Sequence, residues 1–76
     1  MKAYVVITAK TGMAVEIAHT MAGLPGVKMA DACWGSHDVY SVVEVLDWKD
    51  LNTLVLEKVQ RLPGVERTET HVAVAG

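Results

Sequence analysis

The densest set of chemistry-bearing side chains in the sequence is Gly35-Ser36-His37-Asp38. Ser, His and Asp are the residue types of a nucleophilic triad, but a triad needs side chains that converge from separate elements, which consecutive residues cannot do. Two readings stay open. In the first the stretch is turn chemistry, with Gly35 supplying an unusual φ and Asp38 capping a backbone N–H. In the second it is a hairpin tip that offers a carboxylate and free backbone groups to a small polar ligand. Thr68-Glu69-Thr70-His71 is the other polar run. On a strand it places Thr68 and Thr70 on one face and Glu69 and His71 on the other. Threonine is common in strands on propensity alone. A pair of hydroxyls near a hairpin-tip carboxylate can also hold both ends of a zwitterion, the carboxylate taking an ammonium and the hydroxyls and N–H groups taking a carboxylate.

The remaining candidates narrow the chemistry. His19, His37 and His71 have no cysteine partner at metal-ligand spacing, so no metal site is expected, although His37 and His71 can meet in space. A Cys-x-x-Cys pair is absent, as is a glycine-rich phosphate loop with its lysine. No cofactor is expected. The single cysteine, Cys33, forms no intrachain disulfide and reads as an inert thiol within a strand, in a reducing compartment. Trp34 precedes the polar tip and Trp48 stands at the entrance to the second helix; each reads as a core or interface anchor or as the wall of a ligand site.

The elements that must position these residues follow from a repeat. Leu-Pro-Gly-Val occurs at Leu24 to Val27 and again at Leu62 to Val65, an offset of 62 − 24 = 38, half of the 76 residues. Each half therefore holds a strand, a helix and a returning strand. Ala3 to Thr8 is rich in Tyr, Val and Ile and precedes the turn Lys10-Thr11-Gly12, which predicts the first strand. A helix is predicted from about Met13, with Ile17, Met21 and Leu24 on one stripe, beside Ala14, Ala18 and Ala22, and with Gly23, Pro25 and Gly26 as its stop. Val27 to Trp34 and Val39 to Leu46 predict a central hairpin. Asp47 is placed to cap a second helix carrying Leu51, Leu54, Val55, Val59 and Leu62, and Val65 to Val74 returns as the last strand.

The expected fold is an α+β, ferredoxin-like βαββαβ domain spanning residues 1–76. Right-handed crossovers put both helices on one face of a four-stranded antiparallel sheet. The strands nevertheless carry apolar residues at both parities: Val5 and Ile7 against Tyr4 and Val6, and Val39, Val43 and Val45 against Tyr40, Val42 and Leu46. A bare apolar face of that size is rarely tolerated by a monomer, so a second copy is expected to cover it, sheet on sheet, as a two-fold homodimer. The composition agrees, being 51% hydrophobic in a domain so small that it buries only roughly 60% to 65% of its surface on folding. The net charge of −2, with scattered Lys and Arg, gives no basic stripe for nucleic acid. No apolar run is long enough for a membrane span, and Ala3 to Ile7 is too short for a signal-peptide core. A soluble cytoplasmic protein is expected.

Taken in order, Leu-Pro-Gly-Val, Trp34-Gly35-Ser36-His37-Asp38-Val39-Tyr40 and Leu-Pro-Gly-Val-Glu-Arg-Thr-Glu-Thr at 62 to 70 resemble the ligand-binding (RAM) domain of Lrp/AsnC transcriptional regulators, over essentially the whole chain. The most specific parts are Gly-x-x-Asp at Gly35 and Asp38 and Pro-Gly-Val-x-x-Thr-x-Thr from Pro63 to Thr70. The resemblance implies a module that dimerises through its sheets, builds rings of dimers and binds amino acids at dimer–dimer contacts. Because the chain starts at the first strand, it resembles the stand-alone versions, without a DNA-binding domain, which sense amino acids or join the assemblies of full-length Lrp/AsnC regulators. By the same resemblance Gly35, Ser36, His37 and Asp38 line the ligand cleft, with Asp38 near the amino group. Thr70, His71, Val72 and Ala73 match last-strand positions of the ligand response, and Trp48 matches one just before the second helix.

The function expected is thus a non-enzymatic amino-acid-binding effector. The alternative is a small enzyme of the dimeric α+β barrel type, a monooxygenase or isomerase using His37, His71 and Trp34 in a barrel cavity. The absence of Phe and an aromatic content of 5% argue against it. A third reading, an amino-acid sensor of the ACT type, differs in ligand site and subunit pairing.

Overall fold

Two Leu-Pro-Gly-Val turns frame the architecture. In the computed structural model, which describes residues 1–76, Gly26 and Gly64 adopt φ of 92° and 91°. The N–H of Val27 donates to the Leu24 carbonyl at 3.1 Å, and that of Val65 to the Leu62 carbonyl at 3.2 Å. Proline at the second position, glycine at positive φ at the third and a closing bond from the fourth define a type II turn. Each turn then docks on the end of a strand from the other half, the Gly26 carbonyl accepting from Glu44 N–H and the Gly64 carbonyl from Lys10 N–H, both at 2.8 Å.

Between these turns run β1 (Lys2–Ala9), α1 (Ala14–Ala22), β2 (Val27–Ala32), β3 (Val39–Glu44), a second helix and β4 (Val65–Val72). The second helix opens as α2 (Trp48–Asn52), widens into a π turn over Thr53–Lys58 and tightens into a 3-10 turn over Val59–Arg61. Asp47 caps it as expected, its Oδ1 accepting the Asp50 N–H at 2.9 Å. The sequence pattern does not announce the π turn. An α-helix over-rotates residues four apart, and the wider π turn under-rotates them, so Leu51, Val55 and Val59 all stay on the buried line.

The four strands form one sheet in the order β2-β3-β1-β4, with every neighbouring pair antiparallel. This is the ferredoxin-like α+β arrangement expected from the sequence. The core lies between the helices and one sheet face: Ala3, Val5, Ile7, Val39 and Val43 meet Ile17, Ala18 and Met21 of α1 and Leu51, Leu54, Val55 and Val59 of the second helix. Ser41 is the one buried polar residue on that face, and its hydroxyl donates to the Val5 carbonyl at 2.7 Å. Burial without that bond would cost about 1–3 kcal/mol.

The opposite face has no cover. Tyr4 and Tyr40 stay 43% and 40% exposed there, and Met29 50%. Val6, paired in register with Tyr40 and Glu69, is nonetheless sunk to 8%. No helix is long and apolar enough to cross a membrane.

Candidate functional site

The connection between β2 and β3 is anchored at its base and free at its tip. Cys33 N–H donates to the Asp38 carbonyl at 2.8 Å, and Asp38 N–H to the Ile7 carbonyl at 2.9 Å, which extends the ladder one step beyond each strand. Asp38 Oδ2 accepts the Ala9 N–H at 2.8 Å. The β1–β3 ladder ends at the Ile7–Val39 pair, so a side chain stands in for the next ladder partner. Gly35 at φ 130° turns the tip, with nothing within 4 Å of the position a Cβ would occupy. The turn-chemistry reading of Gly35 and Asp38 therefore holds, while the second carboxylate oxygen of Asp38 has no partner within the chain. Cys33 lies just past β2 and is half-buried, a correction to its placement within the strand.

Ser36, His37 and Asp38 do not converge. His37 swings onto the bare sheet face, where its Nε2 lies 3.2 Å from Glu69 Oε2 and its ring meets the Tyr40 ring edge-on at 5.9 Å. His71, from the same face of β4, places its Nε2 3.4 Å from Glu69 Oε1. The two histidines thus share one carboxylate. The sequence places Glu69 on the face of His71 but gives it no role, because a glutamate alternating with threonines on a strand reads as a solvated residue. No group of three or more His, Cys, Asp or Glu side chains is arranged to hold a metal ion.

Thr70 and Val72 face the other way. With Thr68 they line a groove of about 510 Å³ between β4 and the second helix, together with Trp48, Leu51, Val55 and Leu56. Gln60 Nε2 donates to Thr68 Oγ1 at 3.0 Å at one end of this groove. Ala73 and His71 line a separate depression beside Tyr4 and the C-terminal residues. Trp48, 60% exposed, walls the groove, whereas Trp34 is wholly exposed at the hairpin tip; neither is a core anchor.

The hairpin tip and Trp48 therefore occupy two ends of one molecule, while Thr68, level with Ile7 and Val39 in the sheet, lies at the tip's end of the groove. The hairpin tip lies beyond Val39, which pairs with Ile7, and Trp48 lies beyond Glu44, which pairs with Lys2. Five residues of strand, roughly 17 Å, separate those pairs. One chain brings His37, Glu69 and His71 together, and separately Trp48, Thr70 and Val72; it does not bring the tip to the groove.

The family profile of the Lrp/AsnC ligand binding domain matches residues 2–75. The chain belongs to the Lrp/AsnC ligand-binding-domain family. An uncharacterised HTH-type transcriptional regulator of Pyrococcus abyssi is 30% identical over 70 residues, covering 92% of this chain and 44% of that protein. This Lrp/AsnC domain thus spans less than half the length of the relative it matches. Among solved structures, a protein from Thermus thermophilus superposes with a TM-score of 0.92 at 29% identity, covering 99% of this chain and 94% of that one. The transcriptional regulator NMB0573 of Neisseria meningitidis, crystallised as an L-Met complex, shares the fold at a TM-score of 0.86 and 18% identity, covering 97% of this chain and 49% of that one.

Proposed function

We propose that this Lrp/AsnC domain is a non-enzymatic cytoplasmic effector that dimerises through its bare sheet face, assembles further into rings of dimers and binds a small amino acid where dimers meet. Through that assembly it modulates transcriptional regulators, full-length Lrp/AsnC proteins among them. The observation that carries the reading is the split of the candidate site. The hairpin tip offers the unpartnered oxygen of Asp38, and the groove, which no tip residue lines, offers the hydroxyls of Thr68 and Thr70 beside apolar walls that run to Trp48. A ligand held by the tip of one copy and the groove of another sits between copies of the chain. Asp38 suits an ammonium, and hydroxyls and tip N–H groups suit a carboxylate. The L-Met complex of a protein with the same fold supports this ligand class.

Binding between copies couples ligation to assembly, because a ligand that binds only the assembled form stabilises it. Thermal unfolding against each common amino acid at millimolar concentration tests the reading. A ligand at about 100 times its dissociation constant adds roughly 2.7 kcal/mol, a rise of about 10 °C or more for a domain of this size. The expected result is a selective rise that Asp38→Asn, which keeps an acceptor for the Ala9 N–H, removes. No rise with any amino acid, in a folded and assembled protein, overturns the ligand assignment.

A further inference from the structure

The one ionic cluster on the uncovered sheet face is a carboxylate held between two imidazoles. Each oxygen of Glu69 faces a different histidine, His37 at 3.2 Å and His71 at 3.4 Å. His37 is already withdrawn from water at 23% side-chain exposure, while Glu69 and His71 remain 44% and 64% exposed. In the lone chain, water still reaches the glutamate. Closure of this face removes that water. A desolvated carboxylate flanked by two neutral imidazoles keeps an uncompensated charge that is costly to bury, whereas the same carboxylate beside one imidazolium is a neutral, hydrogen-bonded pair.

We propose that the His37–Glu69–His71 cluster makes closure of the sheet face on a second copy of this chain proton-linked, the dimer taking up protons as it forms. The inference rests on the dimer proposed above. The face suits that occupant, with Tyr4, Tyr40 and Met29 at 43%, 40% and 50% exposure around the buried Val6 as apolar contact surface.

The other groups facing the cluster do not supply the missing charge. Arg67, two residues along β4 on the same face, makes no ion pair with Glu69. On β1, Lys2 Nζ lies 5.4 Å from the centre of the Tyr4 ring. On β3, Tyr40 packs on His37, and Glu44 is paired with Lys28 of β2 at 3.9 Å. Asp31 on β2 adds a further negative charge, and Asp38 has one oxygen on the Ala9 N–H. No helix packs on this face. Between pH 6 and 8 imidazole is the side chain that ordinarily changes charge, whereas carboxylates, phenols, lysine and arginine do not.

The sign follows from linkage: a dimer that binds more protons than two separate chains tightens as pH falls through the imidazole range and loosens as pH rises. Sedimentation equilibrium with fluorescence detection, from nanomolar upward at fixed ionic strength, measures the dimer dissociation constant between pH 8 and pH 6. The expected result for the unaltered chain is a decrease of about tenfold or more towards pH 6. One proton per protomer sets a ceiling of roughly 100-fold per pH unit. Glu69→Gln removes the anion that calls for the proton and should flatten the dependence to within about twofold. A His37→Gln, His71→Gln double variant, which leaves no imidazole beside Glu69, should flatten it likewise and provides the same comparison if the Glu69 variant fails to fold. A dimer with the same dissociation constant at both pH values, or a full slope retained in both variants, overturns the proton linkage and leaves the dimer standing. A monomer at every pH and concentration overturns both.

Discussion

On the helix-covered face Ala3, Val5, Ile7, Val39 and Val43 have no measurable exposure, whereas Tyr4 and Tyr40, which alternate with them on the same two strands, remain 43% and 40% exposed. The buried part of the covered face is aliphatic with one satisfied serine. The open face mixes tyrosines, Val6, Val42 and Met29 with Lys2, Arg67, Glu69 and two histidines. A surface meant only for water has little use for buried Val6 or for a histidine packed edge-on against a tyrosine, and a folding core has little use for an ionic cluster. That contrast separates a face that holds the monomer together from one suited to a second, more polar contact such as the dimer proposed above.

The sharpest way to break the comparison is to damage each face in turn. Ile7→Ala or Met21→Ala on the covered side opens a cavity where both side chains are fully buried, with an expected loss of about 2–5 kcal/mol in urea denaturation. Tyr40→Glu and Val42→Glu on the open side should abolish association while leaving circular dichroism and monomer stability within about 1 kcal/mol of the parent. Equal stability losses on the two sides would erase the distinction.

The glycines sharpen the same contrast at smaller scale. A Cβ at Gly64 would fall 2.6 Å from Met13 Sδ at φ 91°, whereas one at Gly35, at φ 130°, would meet nothing. Gly64→Ala should therefore cost about 2–3 kcal/mol and Gly35→Ala only about 1 kcal/mol, read as shifts in the denaturation midpoint. Asp38→Ala orphans the half-buried Ala9 N–H and should cost about 1–2 kcal/mol, while Asp38→Asn should cost less than half of that and still remove the amino-acid response. A ligand response that survives Asp38→Asn places the ammonium elsewhere.

Much of the fold could be read from the residues because the signals were redundant. The two Leu-Pro-Gly-Val turns of the 38-residue repeat and the Asp47 cap each marked a boundary, and the alternation on β1 and β3 showed both faces to be apolar. The π turn was hidden because Leu51, Val55 and Val59 satisfy a helical stripe whether the turn is α or π. The site was less legible. Its residues were named individually, but their grouping depends on which way each side chain leaves its strand or loop, and His37 turning to Glu69 rather than to the loop's own neighbours is a tertiary choice. Trp34 and Trp48 are not core anchors, because a large aromatic signals contact area without saying what it contacts; Trp48 walls the groove instead.

Sedimentation velocity on the unaltered chain beside Tyr40→Glu decides whether the open sheet face is the surface of assembly. The unaltered protein is expected to sediment as a dimer or larger and the variant as a folded 8.2 kDa monomer. An unaltered chain that stays monomeric across the accessible concentration range, or a variant that assembles as the parent does, would contradict the assignment of the open sheet face as the surface of assembly.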